Sequence, residues 1–307
     1  MKFELTILGS AAATPAYGRF TSCQVLNIQD SWYMIDCGEG TQMRLSDFHI
    51  PRNKIHHLFI SHLHGDHIFG IVGLLTSYSL AARKEAFHIY SPEGLQKIIE
   101  LTLSLSYSML SYEVHYHTFD PLQSQQIFEK SELTVSTIPL KHSVPTAGFL
   151  FEEKPLLPNF NKEKILEYNI PVSEIPLIKA GADFICENGD VIPFTALTFP
   201  APPARKYAYC SDTMYNPDMV SMIKGVDMLY HEATFTELFR ANADYGMHST
   251  ATDAAEIAKA AAVKMLILGH YSARFSDSIP LLEEAQAVFS STYAGQDGMT
   301  FSVPYRR

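Results

Sequence analysis

Short apolar runs separated by turn residues predict several strands near the beginning of the chain. Phe3 to Leu8 alternates loosely between apolar and polar residues and indicates a first strand. Gln24 to Ile28 and Trp32 to Ile35 flank a short polar stretch, a pattern typical of a β-hairpin. The following residues 36–40 predict a turn into a helix that begins near Thr41. The two glycines of that turn indicate either an ordinary turn or backbone that passes close to another part of the molecule.

Strands and helices alternate in the next part of the chain. Ile55 to Ile60 predicts a short buried strand, and the apolar run from Ile68 to Leu80 is long enough for a helix. His88 to Tyr90 predicts another strand, Pro92 to Leu105 a helix, and Leu133 to Pro139 is rich in β-forming residues. This alternation favours the α/β class.

Polar residues follow the predicted strands at a recurring position. In the second half of the chain the predicted strands are Tyr207 to Cys210, Val226 to Tyr230 and Lys264 to Leu268. A helix is predicted from Thr250 to Ala262, where Thr250 and Asp253 can form a capping box. The residues just past a predicted strand include His62, His142, Asp212, His231 and His270. Side chains gathered beyond strand ends are a common way to build a pocket on an α/β scaffold.

The segment 151–194 departs from the regular pattern. Its hydrophobic periodicity is poor, and it contains Pro155, Pro158, Pro171, Pro176 and Pro193. Long excursions of this kind within a domain are usually functional. We therefore expect one domain over residues 1–307 with residues 151–194 as an inserted arm.

Composition narrows the class of protein. The chain has 307 residues, of which 47% are hydrophobic and 18% charged, so it can bury a sizeable core and is not of a disordered composition. A net charge of −10 argues against non-specific nucleic-acid binding but leaves room for a nucleic acid held at a local patch. The apolar runs are too short for a membrane span and the N-terminal residues do not resemble a signal peptide, so we expect a cytoplasmic location without membrane contact. The four cysteines suggest no disulfide framework.

One stretch carries the strongest chemical signal. Residues 61–67 read Ser-His-Leu-His-Gly-Asp-His, the pattern H-x-H-x-D-H. Imidazole nitrogens and carboxylate oxygens suit zinc and similar ions. His62 and His64 point the same way in an extended segment and can bind one ion. The turn at Gly65 directs Asp66 and His67 toward another ion.

The stretch 61–67 resembles the signature of the metallo-β-lactamase superfamily. Within it, the order of motifs resembles the ribonuclease Z family, the endonucleases that remove the 3′ trailer from precursor tRNA. Five pieces over nearly the whole chain carry this resemblance: residues 35–42, 61–67, 140–142, 231–234 with 248–250, and 269–275. The resemblance implies a four-layer αβ/βα metallo-β-lactamase fold with an inserted arm. It also implies a zinc-dependent endoribonuclease that is active as a homodimer.

The same resemblance implies two Zn²⁺ ions per subunit, with Mn²⁺ or another divalent ion as an alternative. Asp212 would bridge the two ions, and the other ligands would be His62, His64 and His142 for one ion and Asp66, His67 and His270 for the other.

The resemblance further implies roles for residues that bind no metal. Asp66 would orient or deprotonate the attacking water. His248, held by Glu232, would give a proton to the departing ribose 3′ oxygen. Arg274 would hold a phosphate.

Two regions depart from the family pattern. Family members that stop at the discriminator base usually have a Pro-x-Lys-x-Arg-Asn loop after the first strand. Here Pro15 and Arg19 are retained, Arg19 being a candidate substrate-binding residue, whereas Tyr17 and Phe20 replace Lys and Asn. The arm, which is basic in the family, is acidic in this chain. These differences leave the cleavage position and the mode of tRNA binding open.

Two other functions remain as alternatives. A small-molecule phosphodiesterase, arylsulfatase or lactonase on the same fold would explain the acidic charge and the unusual arm. A non-catalytic metal-binding or RNA-binding module is disfavoured because the set of candidate ligands is complete.

Overall fold

Two seven-stranded mixed sheets dominate the computed structural model, which describes residues 2–304. The first sheet has the strand order β18-β1-β2-β3-β4-β5-β6. The elements from the N-terminus to β6 are β1 (Phe3–Gly9), β2 (Cys23–Ile28), β3 (Ser31–Ile35), α1 (Thr41–Asp47), β4 (Ile55–Phe59), α2 (Gly65–Ile68), α3 (Ile71–Leu80), β5 (Phe87–Ser91), α4 (Leu95–Leu105) and β6 (Val114–Thr118).

The second sheet has the order β17-β16-β15-β14-β9-β8-β7. Its first three strands along the chain are β7 (Gln126–Glu129), β8 (Leu133–Leu140) and β9 (Thr146–Glu153). Between β9 and β14 lie β10 (Asn159–Phe160), α5 (Lys162–Glu167), α6 (Ile175–Lys179), β11 (Phe184–Ile185), β12 (Val191–Ile192), α7 (Phe194–Leu197) and β13 (Thr198–Phe199). The remaining elements are β14 (Lys206–Cys210), β15 (Met228–Glu232), α8 (Arg240–Gly246), α9 (Ala251–Ala260), β16 (Leu266–Gly269), α10 (Ile279–Val288), β17 (Thr292–Ala294) and β18 (Thr300–Ser302).

Three layers of buried apolar side chains join the two sheets and their helices. The central layer contains Leu5 of β1 and Phe59 of β4 together with Phe149 of β9 and Tyr207 of β14, so it lies between the inner faces of both sheets. One outer layer joins the first sheet to α1, α3 and α4, and the other joins the second sheet to α9 and α10. Because each sheet is buried on both faces, the fold is the four-layer αβ/βα arrangement that the family resemblance implies.

The chain divides into two compact units. One contains Arg205–Val303 and the described residues up to Glu152, and the other contains Glu153–Ala204 with Pro304. The second unit has two small two-stranded sheets and a small core of its own, formed by Ile170, Ile178, Phe184 and Leu197. The predicted arm began at 151, but Phe151 and Glu152 lie in β9 and pair with β14.

Most predicted elements are present, with shifts of one to three residues. The helix over Thr250–Ala262 is α9, and Thr250 and Asp253 form the expected capping box. The strand predicted over Val226–Tyr230 lies two residues further along the chain, because β15 extends through His231 and Glu232.

In the part of the chain that the structure describes, no helix is long and apolar enough to cross a membrane. All four cysteines are free.

The single helix predicted from Ile68 to Leu80 is divided in two. The chain turns at Phe69 and Gly70, between α2 and α3, and the Gly70 amide donates a hydrogen bond to the Cys37 carbonyl at 2.9 Å. A Cβ atom on Gly70 would lie 2.1 Å from the Gly38 carbonyl oxygen. The break therefore brings the residues after the metal motif against the 36–40 turn, a contact that helical periodicity does not reveal.

Gly70→Ala tests this contact. The Gly70 backbone has a φ of −79° and tolerates alanine, so the expected loss of stability comes from the collision alone. We expect a clearly lower Tm for Gly70→Ala. Gly73→Ala, inside α3, is the matched control, because its Cβ would meet only the flexible Gln42 side chain at 3.3 Å. Gly73→Ala should leave the Tm unchanged or raise it. Equal Tm values for the two variants would contradict the proposed close contact between Gly70 and the 36–40 turn.

Candidate metal centre

Four candidate ligands form one group in the structure. His62 and His64 follow β4, His142 follows β8 and Asp212 follows β14, and one ligand atom from each lies within 4.8 Å of the others. His142 Nε2 is 3.3 Å from His64 Nδ1 and 3.7 Å from Asp212 Oδ2. His62 Nε2 is also 3.7 Å from Asp212 Oδ2.

A second group faces the other oxygen of the same aspartate. It consists of Asp66 and His67 of α2 and His270, which follows β16. His67 Nε2 and His270 Nε2 each lie 3.2 Å from Asp212 Oδ1 and 3.6 Å from Asp66 Oδ2. Asp212 thus presents one carboxylate oxygen to each group, as a bridging ligand would.

These residues fit two divalent ions. The Nε2 atoms of His62, His67 and His270 are buried and have no hydrogen-bond partner within residues 2–304. Such orphaned buried nitrogens are unfavourable unless something else binds them. With bonds of 2.0–2.2 Å to one tetrahedral ion, neighbouring ligand atoms would lie about 3.4 Å apart, close to the distances within both groups. Nitrogen and carboxylate donors suit zinc and its neighbours in the first transition row.

Asp36 orients the His67 imidazole through the ring nitrogen that faces away from the cluster. Its carboxylate oxygen Oδ2 lies 2.7 Å from His67 Nδ1, so Nε2 of the same ring is directed toward the cluster. Asp36 also accepts hydrogen bonds from the Ser61 amide at 2.8 Å and from the Tyr209 hydroxyl at 2.7 Å. A carboxylate–histidine–metal arrangement of this kind fixes the tautomer and the ring position.

Two further imidazoles are held in the same way. His142 Nδ1 lies 3.1 Å from the Met247 carbonyl, and His270 Nδ1 lies 3.0 Å from the Thr234 hydroxyl. These contacts leave the Nε2 atoms free to face the cluster. The sequence alone predicts no role for Asp36 or Thr234, although they lie within the motifs at 35–42 and 231–234.

Unusual backbone conformations turn several side chains toward the cluster. Asp36, Asp212 and His270 have φ values of 56°, 61° and 57°. These values lie in the left-handed region of backbone conformation, which residues other than glycine rarely adopt. Each follows the end of a strand, where this conformation reverses the direction of the chain. Such strain is usually found where function requires it.

Gly38 lies close to the metal motif, as its turn led us to expect. A Cβ atom there would be 2.5 Å from the Asp66 carbonyl oxygen and 2.3 Å from the Thr21 hydroxyl oxygen. No other residue fits this position without displacing the backbone that carries Asp66.

Glu232, which is buried, and His248, which is half-buried, form a pair beside the cluster. Glu232 Oε1 lies 2.8 Å from His248 Nδ1 and accepts a hydrogen bond from the Thr213 amide at 2.7 Å. Its other oxygen accepts hydrogen bonds from the Ser249 amide and the Thr234 hydroxyl. Glu232 is fully buried, whereas His248 lines the cleft. His248 therefore has Nε2 available for a substrate.

Charge favours a protonated His248. Burial opposes the imidazolium form, but the Glu232 charge and hydrogen bond, with help from Asp212 and Asp66, raise the pKa of His248 to about 9. Burial likewise opposes ionisation of Asp212, but the neighbouring imidazoles hold the pKa of its carboxyl well below the usual range. Burial also opposes ionisation of Glu232, but the His248 charge and hydrogen bond lower the pKa of its carboxyl. The Glu232–His248 pair thus has the protonation states of a proton donor held by an ionised partner.

The cluster opens into a cleft of 760 Å³. His64, Asp66, His142, His248 and His270 line this metal cleft, together with Thr14, Pro15, Ser272 and Ala273. The Ala13 amide donates a hydrogen bond to Asp66 Oδ2 at 2.9 Å, which connects the loop after β1 to the cluster.

Three other candidate residues lie outside both groups of ligands. The grouping of His231 with the other strand-end residues was wrong: it is buried inside β15, and its Nδ1 faces the Glu232 carbonyl at 2.7 Å. Arg274 is exposed and its guanidinium lies over the Phe239 ring at 5.6 Å. Arg19 donates a hydrogen bond to the Phe275 carbonyl. A role for either arginine in binding a substrate stays a prediction.

Comparison with known proteins adds an independent result. The chain is 44% identical to a ribonuclease Z of Bacteroides thetaiotaomicron over 98% of this chain and 96% of the relative. It is 45% identical to a ribonuclease Z of Cytophaga hutchinsonii over 100% of this chain and 98% of the relative. A family model described as Anti-Pycsar protein Apyc1 matches residues 3–168.

Solved structures agree with these relatives. The crystal structure of the short form of human tRNase Z superposes with a TM-score of 0.70 at 26% identity, over 98% of this chain and 99% of that one. The metallo-β-lactamase fold protein YhfI of Bacillus subtilis has a TM-score of 0.69 at 18% identity, over 99% of this chain and 100% of that one. The second likeness concerns the fold alone.

His64→Ala tests the ligand groups. We expect the purified variant to lose about one of two bound divalent ions, because only one group contains His64. Metal content measured by inductively coupled plasma mass spectrometry would show this loss. His115→Ala, at an exposed histidine outside both groups, should keep the full content. An unchanged metal content in His64→Ala would remove this residue from the ligand set.

Proposed function

The chain belongs to the ribonuclease Z family, and from this membership we propose that it removes the 3′ trailer from precursor tRNA as a hydrolytic endoribonuclease. The observation that carries the proposal is the Glu232–His248 pair beside two groups of candidate metal ligands, in a chain 44% identical to a ribonuclease Z. Because precursor tRNA is the substrate, we also propose that the enzyme works in the cytoplasm.

The metals are proposed to be two Zn²⁺ ions bridged by Asp212. His62, His64 and His142 would hold one ion, and Asp66, His67 and His270 the other. The orphaned Nε2 atoms and the separation of the ligand atoms support this assignment. Bound ions of this kind supply Lewis acidity, which lowers the pKa of water and offsets charge on the phosphoryl oxygens.

The side chains would divide the proton transfers between them. Asp66 would orient the attacking water and accept its proton, and the Ala13 amide fixes the carboxylate for that task. His248 would donate its proton from Nε2 to the departing ribose 3′ oxygen, while Glu232 keeps the ring in place and favours its charged form. Arg274 and Arg19 would contact the RNA near the cleft rim.

Residues 153–204 are proposed to be the tRNA-binding arm, within a single enzyme domain over 1–307. They contain seven acidic and four basic residues, so they would approach tRNA through a few local contacts rather than a basic surface. We further propose a homodimer in which one subunit's arm serves the other subunit's site. Leu101, Leu105, Tyr107 and Met109 support this, because they expose an apolar surface along α4 and the turn after it.

Cleavage of a labelled precursor tRNA tests the proposed function. A single cut near the discriminator base or the CCA, mapped to the nucleotide, is expected. The mapped position would also show how the altered loop with Tyr17 and Phe20 selects the cleavage site. Protein that carries two metals and hydrolyses a small phosphodiester, yet leaves precursor tRNA intact, would instead support the small-molecule phosphodiesterase.

His248→Ala tests the proton donor. We expect the variant to retain its metal and to cleave precursor tRNA roughly 10²–10⁴-fold more slowly, the usual contribution of general acid–base catalysis. Single-turnover kinetics and metal analysis on the same preparation measure both quantities. An unaffected cleavage rate would exclude His248 from the mechanism.

Removing the arm separates binding from chemistry. Glu152 of β9 and Lys206 of β14 are directly paired on antiparallel strands, so a short turn can replace residues 154–204. We expect the shortened enzyme to bind tRNA more weakly while it still hydrolyses bis(p-nitrophenyl) phosphate. An equal loss on both substrates would indicate that the arm is needed for the fold of the metal centre.

A further inference from the structure

A second cleft lies beside the metal cleft and has a different character. It has a volume of 660 Å³, within the range of small-ligand sites. Its lining includes Leu63, Phe119, Pro121, Leu122, Val144 and Pro145. We refer to it as the apolar cleft. None of the residues proposed as metal ligands or proton carriers contributes to it.

The two clefts share a wall. Leu63 lines the apolar cleft, whereas its neighbour His64 lines the metal cleft. On the facing segment, Val144 lines the apolar cleft and Ser143 the metal cleft. The Ala147 amide donates a hydrogen bond to the Ser61 carbonyl at 3.1 Å, which ties these two segments together. The two clefts therefore lie on either side of the same two chain segments, 63–64 and 143–144.

The charge of the apolar cleft restricts what can occupy it. The charged side chains that line the apolar cleft are Glu93 and Asp120, both acidic, and no cationic side chain of the described part of the chain lines it. The Asp120 carboxylate already accepts hydrogen bonds from the Leu122 amide at 2.9 Å and from the Gln123 side chain at 2.8 Å. A phosphate group would be repelled here, while a flat uncharged ring would find leucine, proline and aromatic surfaces.

We propose that the apolar cleft is the subsite for one unpaired nucleobase of the RNA substrate, in a nucleotide that flanks the scissile phosphate. The proposal rests on the function proposed above, because it requires a phosphodiester at the metals. Single-stranded RNA is commonly recognised by bases that leave the stack and insert among apolar or aromatic side chains. The metal cleft then takes the charged backbone of the nucleotide and the apolar cleft takes its base.

The test uses three synthetic precursor tRNAs with a short 3′ trailer. One carries all its bases, one is abasic at the nucleotide before the cut, and one is abasic at the nucleotide after it. The full-length wild-type enzyme should lose about tenfold in kcat/KM on one abasic substrate, the usual scale of one stacked base.

Leu122→Asp is the informative variant, because Leu122 is 65% exposed and lies on the cleft wall. A third carboxylate there should disfavour the base, so the difference between the complete and the abasic substrate should disappear. Ile279→Asp is the matched control: Ile279 is 59% exposed and lines neither cleft. The control should keep the wild-type ratio, and Tm values would show that both variants are folded.

Each contrary outcome is distinct. The same substrate ratio in Leu122→Asp and wild type, or no effect of either missing base on the wild type, would overturn the nucleobase subsite and leave the proposed function intact. A change of oligomeric state in Leu122→Asp alone, measured by light scattering, would assign the cleft to a second copy of the chain instead. A wild-type enzyme that cuts none of the substrates would refute the proposed function itself.

Discussion

The structure depends on one constraint: imidazoles and carboxylates must converge at a buried point where each polar atom needs a partner. Asp212 is central to it, because its two oxygens face different groups of ligands. Leaving buried nitrogens without a hydrogen bond costs about 1–3 kcal/mol each, and the Nε2 atoms of His62, His67 and His270 have no hydrogen-bond partner among the described residues. Cation binding removes this cost, so folding and metal affinity are coupled at this site.

The cluster also explains why two sheets are needed. The first sheet supplies the residues after β4, and the second supplies those after β8, β14 and β16. Neither sheet has a complete set of ligands. The central layer of apolar side chains therefore does more than stabilise the fold, because its packing brings the two halves of the metal centre into register. Glu232 extends the connection further, since it holds the turn that carries His248.

Local patterns in the sequence predict what is local, whereas the grouping of distant residues such as His142, Asp212 and His270 came from the family resemblance. The motif at 61–67 specifies four candidate ligands because their spacing is set by one strand and one turn. His231 was misplaced because the strand continues two residues further than its apolar run, which leaves Glu232, rather than His231, facing the centre. The break at Gly70 and the supporting role of Asp36 depend on contacts across the fold. Hydrophobic periodicity carries no information on such contacts.

An acidic protein that acts on a polyanion needs its positive charge at the few positions where it contacts the substrate. With a net charge of −10 and an acidic unit at 153–204, broad binding along an RNA backbone is unfavourable for this chain. Two divalent ions at the base of a cleft would place positive charge where one phosphodiester is needed. An adjoining apolar cleft with an acidic rim would admit a base and exclude a second phosphate. Such an arrangement favours a flexible, unpaired end, because a nucleotide within a duplex cannot divide its phosphate and base between two clefts.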